Sequence, residues 1–144
     1  MRSADRAACS CYLAVALLLV AAGALYLFTP RFMPYHAEAA GAAWDELGPG
    51  LQGLILGYLK AAGAGFLVAG VAVAVLALLP FRRGEPWARW ATPSVALVYL
   101  LSNLYATLTV IAKTGASPPV GFLYTGIGLV AVGALLSLAS SRRE

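Results

Sequence analysis

The sequence predicts an all-α fold: an integral membrane four-helix bundle, N-in/C-in, with a short amphipathic helix in the first external loop. Three observations carry that prediction. Of 144 residues, 61% are hydrophobic and only 11% charged, where about 25% charged is usual for a soluble domain. A soluble fold has no means of covering that much apolar surface, whereas lipid solvates apolar side chains directly. The apolar residues fall into four runs, each long enough for the roughly 20 residues of a helical span. The cations are sorted between the runs. Arg2, Arg6, Arg82, Arg83, Arg89, Arg142 and Arg143 fall on one side of the resulting topology, and Arg31 and Lys113 on the other. Short basic segments stay in the cytoplasm, so both ends are placed there. The length allows one domain, residues 1–144.

The first span covers about 8–29 and lies in a stretch, 7–30, free of charge. It is longer than the 7–15-residue apolar core of a signal peptide and continues through Tyr26 and Phe28, so it reads as a retained helix. The external loop 30–51 follows. Within it Ala37, Ala40, Trp44 and Leu47 recur on one helical face, predicting a short helix on the outer membrane surface with Trp44 at headgroup level. The second span covers about 52–79 and ends at Pro80. The loop 80–90 is basic and bracketed by Phe81, Trp87 and Trp90, as expected of a cytoplasmic interfacial turn. The third span covers about 91–112, the external turn 113–119, and the fourth span about 120–140. No internal repeat is evident, which argues against an inverted-repeat transporter.

Composition excludes several functions. Net charge is +4, but the basic residues form no single face able to neutralise phosphates, so nucleic acid is not an expected partner. Cys9 and Cys11 point about 200° apart on a helix and read as small residues near a helix start, not as a metal or redox pair. His36 and Glu38 lack a third ligand, so no metal is expected, and His36 reads as a surface residue. No hydrolase elbow, phosphate loop or zinc helix is present. With no acid–base pair and no acidic residue within a span, neither an enzyme nor a proton pump is favoured, and no cofactor is called for.

The candidate chemistry lies in the spans. In the second, Gly53, Gly57, Ala61, Gly65 and Ala69 form an i+4 ladder that predicts close helix packing. On a helical wheel the third span has a leucine face, Leu97, Leu100, Leu101, Leu104, Leu108 and Ile111, expected to meet lipid. Tyr99, Ser102, Asn103, Tyr105, Thr107 and Thr109 fall on the other face, expected to meet protein or a cavity because polar groups in hydrocarbon are costly. Lys60 either snorkels to the outer headgroups from the start of its span or enters the bundle. The expected ligand-binding set is Lys60, Tyr99, Ser102, Asn103, Tyr105 and Tyr124, with 33–36 lying over it as a lid.

The order of a first span, a long external loop, a Gly-rich second span from Leu51-Gln52-Gly53 and a short basic turn at Phe81-Arg82-Arg83 resembles the small bacterial four-helix proteins of the DoxX-like type. The resemblance is architectural and carries no motif residue by residue. It implies a bacterial inner-membrane protein and makes a quinone or similar amphiphile a thinkable ligand. The function expected is binding of a small amphiphile, a lipid, quinone or isoprenoid, in an outward-facing intramembrane pocket, with membrane lipid as the constant partner. The alternatives are a non-catalytic accessory subunit of a membrane complex, or an oligomeric small-solute transporter built from copies of this chain.

Overall fold

The computed structural model describes residues 2–141; Arg142 and Arg143, counted above among the cytoplasmic cations, lie outside the described residues. The described chain is helical, with no strand. Helix α1 spans Ser3–Phe28, α2 Pro34–Ala40, α3 Pro49–Leu76, α4 Ala88–Thr114 and α5 Gly121–Ser141. Four of these helices are long and apolar enough to cross a bilayer. The chain is a multi-pass membrane protein built as a four-helix bundle.

Local sequence sets the breaks. Pro30 disfavours helix at Thr29, and α1 ends at Phe28 with the Thr29 N–H donating to Leu25 O at 3.1 Å. Pro34 and Pro49 occupy first turns, where a missing N–H costs nothing. Gly41 closes α2 in the left-handed conformation (φ 67°). This overturns the single helix expected through Ala37 and Leu47. The helix stops at Ala40, and Trp44 sits on a separate 3₁₀ turn, Trp44–Glu46, with its ring edge-on to Phe32 at 5.0 Å. Pro80 does not stop the second span outright. Ala77–Phe81 forms one wide π turn that accommodates the ring and carries the helix on to Phe81.

Helix α1 is the hub, packing most extensively on α3 and α5, whereas α3 and α4 touch over a smaller surface. The tightest approach is at Gly23 and Gly63: a Cβ on Gly63 would lie 2.7 Å from Leu27 N and 2.9 Å from Gly23 O. Gly70 repeats the contact one heptad on, against Ala16 O and Val20. Small residues allow such backbone contact in lipid. The expected i+4 ladder is therefore displaced. Gly53 and Gly57 face open space, and only Gly65 and Ala69 of that row meet another helix or the core. The reason is length. With its wide turn the second span is 33 residues, about 50 Å of helix, and Gly63 already lies level with the end of α1. The residues before it rise past their neighbour.

That offset also settles Lys60. Its Nζ donates to Leu27 O at 2.8 Å, one of the carbonyls α1 leaves unpaired at its C-terminus. The ammonium caps the negative end of α1 and does not enter the bundle.

The wheel of α4 is rotated from the expected one. Leu100, assigned to lipid, is 1% exposed and packs on Gly126 of α5, while Leu97 and Leu104 lean on the core. Leu101 and Leu108 are exposed. The polar side chains do not need burial, because Ser102, Thr109 and Thr114 donate to the carbonyls four residues earlier at 2.7–2.8 Å. Such back-bonding satisfies a hydroxyl that faces hydrocarbon.

Candidate functional site

Away from the termini, α2 lies across the ends of the bundle helices and contacts α4. Glu38 fixes it there: Ser117 N, in the turn between α4 and α5, donates to Glu38 Oε2 at 3.0 Å. Beneath this lid is a cavity of about 140 Å³, close in size to cavities that admit a benzene ring.

Its walls divide by chemistry. Phe66, Phe122, Leu123, Val110 and Ala62 are apolar; Tyr26, Tyr35, His36, Asn103 and Thr107 are polar; no Lys, Arg, Asp or Glu is among them. Several of the polar groups are already engaged. The hydroxyls of Tyr26 and Tyr35 share a 2.6 Å hydrogen bond. His36 Nδ1 accepts the Met33 N–H at 3.2 Å, leaving Nε2 as its second nitrogen. Asn103 Nδ2 donates to Tyr99 O at 3.0 Å. Thr107 is different. Unlike Ser102, Thr109 and Thr114 of the same helix, its hydroxyl makes no hydrogen bond among the described residues.

Burial shapes the titration of the lid. It holds the His36 imidazole below its ordinary 6.5, so the ring is neutral at physiological pH. Burial, reinforced by the Tyr26 hydrogen bond, pushes the Tyr35 phenol well above its usual range. The cavity is polar but uncharged.

A second hollow adjoins the first. Between α3 and α4 runs an open apolar groove of about 690 Å³, lined by Gly65, Val68, Ala72, Val95, Val98, Tyr99 and Ser102 among others. The two hollows are separated by a pair of rings. Phe66 lines the cavity, Tyr99 lines the groove, and they meet edge to face at 5.1 Å.

No protein-family model, curated protein or solved structure matches this chain. Of the six expected ligand residues, only Asn103 lines the cavity, while Tyr99 and Ser102 line the groove. Lys60 is engaged as a helix cap. Tyr105 and Tyr124 are 76% and 53% exposed and line neither hollow. Of the segment 33–36 expected as a lid over that set, Tyr35 and His36 line this cavity, and His36 is half-buried there, not a surface residue. Tyr26 and Thr107 complete the polar set. Thr107 was readable as the i+4 neighbour of Asn103 on one helical face. Tyr26 was not, because its partner Tyr35 lies across a helix break.

Proposed function

We propose that this protein binds a small amphiphile whose neutral, ring-sized head occupies the cavity under α2 and whose apolar tail extends from it into lipid. The observation that carries this reading is the unspent hydroxyl of Thr107 in a polar cavity without a charged residue. A phosphate or carboxylate head would lose its hydration there with no cation to meet it. A carbonyl or hydroxyl on a ring would find Thr107, Asn103 and His36 Nε2 as polar contacts and Phe66 and Phe122 as ring neighbours. A quinone fits that description, in keeping with the DoxX-like resemblance. The cations Arg2, Arg6, Arg82, Arg83 and Arg89 support termini in the cytoplasm, so the cavity opens to the outer side; the DoxX-like resemblance is what supports a bacterial inner membrane.

The test is mass spectrometry of small molecules retained in mild detergent by wild type and Thr107→Leu, with thermal unfolding as the folding control. A neutral-headed amphiphile held by wild type and lost from a folded Thr107→Leu is the expected result. Identical bulk lipid on both overturns the reading.

A second reading, an accessory subunit, rests on the open row Gly53 and Gly57 beside exposed Leu54 and Tyr58. Small residues offered to lipid at a helix surface suit a partner helix. Crosslinking from residue 57 that yields no stoichiometric adduct removes its support.

A further inference from the structure

The opposite end of the bundle holds a second recess, of about 240 Å³, lined by Arg2, Asp5, Phe81, Arg82, Arg83, Gly84 and Arg89. Its origin is local. The π turn at Ala77–Phe81 sets Phe81 into the core as a floor. Gly84, at φ 79°, turns the chain so that Arg82 and Arg83 stand exposed at the rim. Arg89 comes from the first turn of α4, whose N–H groups favour an anion.

Asp5 distinguishes this recess from an ordinary basic loop. The sequence placed no acid within a span, yet α1 starts at Ser3 and carries Asp5 inward, 8% exposed. Ser140 Oγ donates to Asp5 Oδ2 at 3.1 Å, and Arg2 holds the Ser140 carbonyl from the other side. Asp5 Oδ1 is buried with no hydrogen-bond partner among the described residues. A buried carboxylate oxygen left without a donor is costly. The recess therefore presents guanidinium groups at its rim, and its wall includes the Asp5 carboxylate, one oxygen of which is buried without a donor.

We infer that this recess binds an ethanolamine phosphate head, the phosphate meeting Arg82 and Arg83 and the ammonium meeting Asp5 Oδ1. Guanidinium forks suit phosphate oxygens, and the ammonium supplies the donor that Asp5 lacks. Trp87 and Trp90, on either side of Arg89 in the sequence, expose their indoles, and such rings mark the headgroup level of a bilayer, which points to a phospholipid as the source. Diffuse attraction by arginines does not predict this selectivity, because phosphatidylethanolamine and phosphatidylcholine are both net neutral and differ in the N–H donors. The inference is independent of the cavity under α2.

The experiment places the whole chain in vesicles of equal phosphatidylethanolamine and phosphatidylcholine, extracts it in mild detergent and weighs the retained lipids by native mass spectrometry. About fivefold enrichment of phosphatidylethanolamine is expected, the value of roughly one added hydrogen bond. The enrichment should fall to parity in Asp5→Asn. All bound phospholipid should fall in the Arg82→Gln/Arg83→Gln double variant, whose exposed positions leave folding intact. Equal retention of both lipids by wild type overturns the inference, as does enrichment that survives the arginine replacements. Displacement of the lipid by millimolar O-phosphoethanolamine supports the site and assigns it a soluble ligand; failure to displace supports the lipid.

Discussion

The carboxylate of Glu38 accepts a 3.0 Å hydrogen bond from the backbone N–H of Ser117, joining two segments 79 residues apart. Glu38 belongs to the short helix α2, and Ser117 to the turn ahead of Pro118 and Pro119, which line the cavity. The bond ties the lid to the wall. A seven-residue helix is not stable by itself, so its position depends on such ties. Glu38→Ala should raise hydrogen exchange across α2 while leaving α1 and α3 protected. Glu38→Gln, whose amide oxygen still accepts, should fall between. Unchanged α2 protection in Glu38→Ala would show that the lid is held by ring contacts alone.

Helix packing gives a second prediction, because two glycines of α3 differ sharply. Gly63 lies against the backbone of α1, whereas Gly57 faces open space. A backbone cannot yield as a flexible side chain can. Gly63→Ala should therefore cost about 1–3 kcal/mol, the usual range for overpacking, and lower the unfolding midpoint in detergent. Gly57→Ala should leave that midpoint unchanged, or raise it slightly through better helix propensity. Equal losses would mean that the open row is covered by a partner helix in the preparation.

A third prediction separates adjacent leucines of α4. Leu100 is buried against Gly126, and its neighbour Leu101 is exposed. Lipid is as apolar as a leucine-lined core, so a buried leucine gains from close packing and little from leaving the solvent. Leu100→Ala should then cost about 2 kcal/mol, the low end for buried leucines. Leu101→Ala should stay within about 0.5 kcal/mol of wild type. Detergent unfolding of the two variants decides it, and near-neutral effects of both would restore the leucine face to lipid.

The four-helix membrane bundle was legible because composition alone demands it, and the lid because Pro34 and the long loop announce a separate segment. The wheel of α4 misled for a physical reason. Burial of polar faces is a rule for groups that need partners, and Ser102 and Thr109 find theirs in their own helix. For Lys60 the sequence leaves two readings, snorkelling or entry into the bundle, because its acceptor, Leu27 O, depends on where α1 ends relative to α3. The Gly63 contact was hidden by a neater i+4 row two residues out of register. Asp5 falls outside the first span as the sequence bounds it, because the apolar run starts after it, although helix formation does not wait for apolar residues.

The last prediction concerns pH. Burial holds His36 below its ordinary 6.5, so the unfolded chain takes up a proton on this ring more readily than the folded one. The sign follows from linkage: stability rises with pH wherever the unfolded state binds more protons. The contribution of a neutral His36 is present in full above about 6.5 and is lost as pH falls through the lower folded value. Protonation also turns Nδ1, which accepts the Met33 N–H, into a donor, so the start of α2 loses its cap as the ring charges. Thermal unfolding in detergent should show wild type losing stability as pH falls below about 6.5. His36→Gln, which does not titrate, should show a flatter profile across that window. Retention of a neutral-headed amphiphile should decline over the same window in wild type, since a charged ring brings uncompensated charge to the cavity wall. A wild-type profile as flat as that of His36→Gln would show that the ring is as well solvated folded as unfolded, and would remove His36 from the cavity wall.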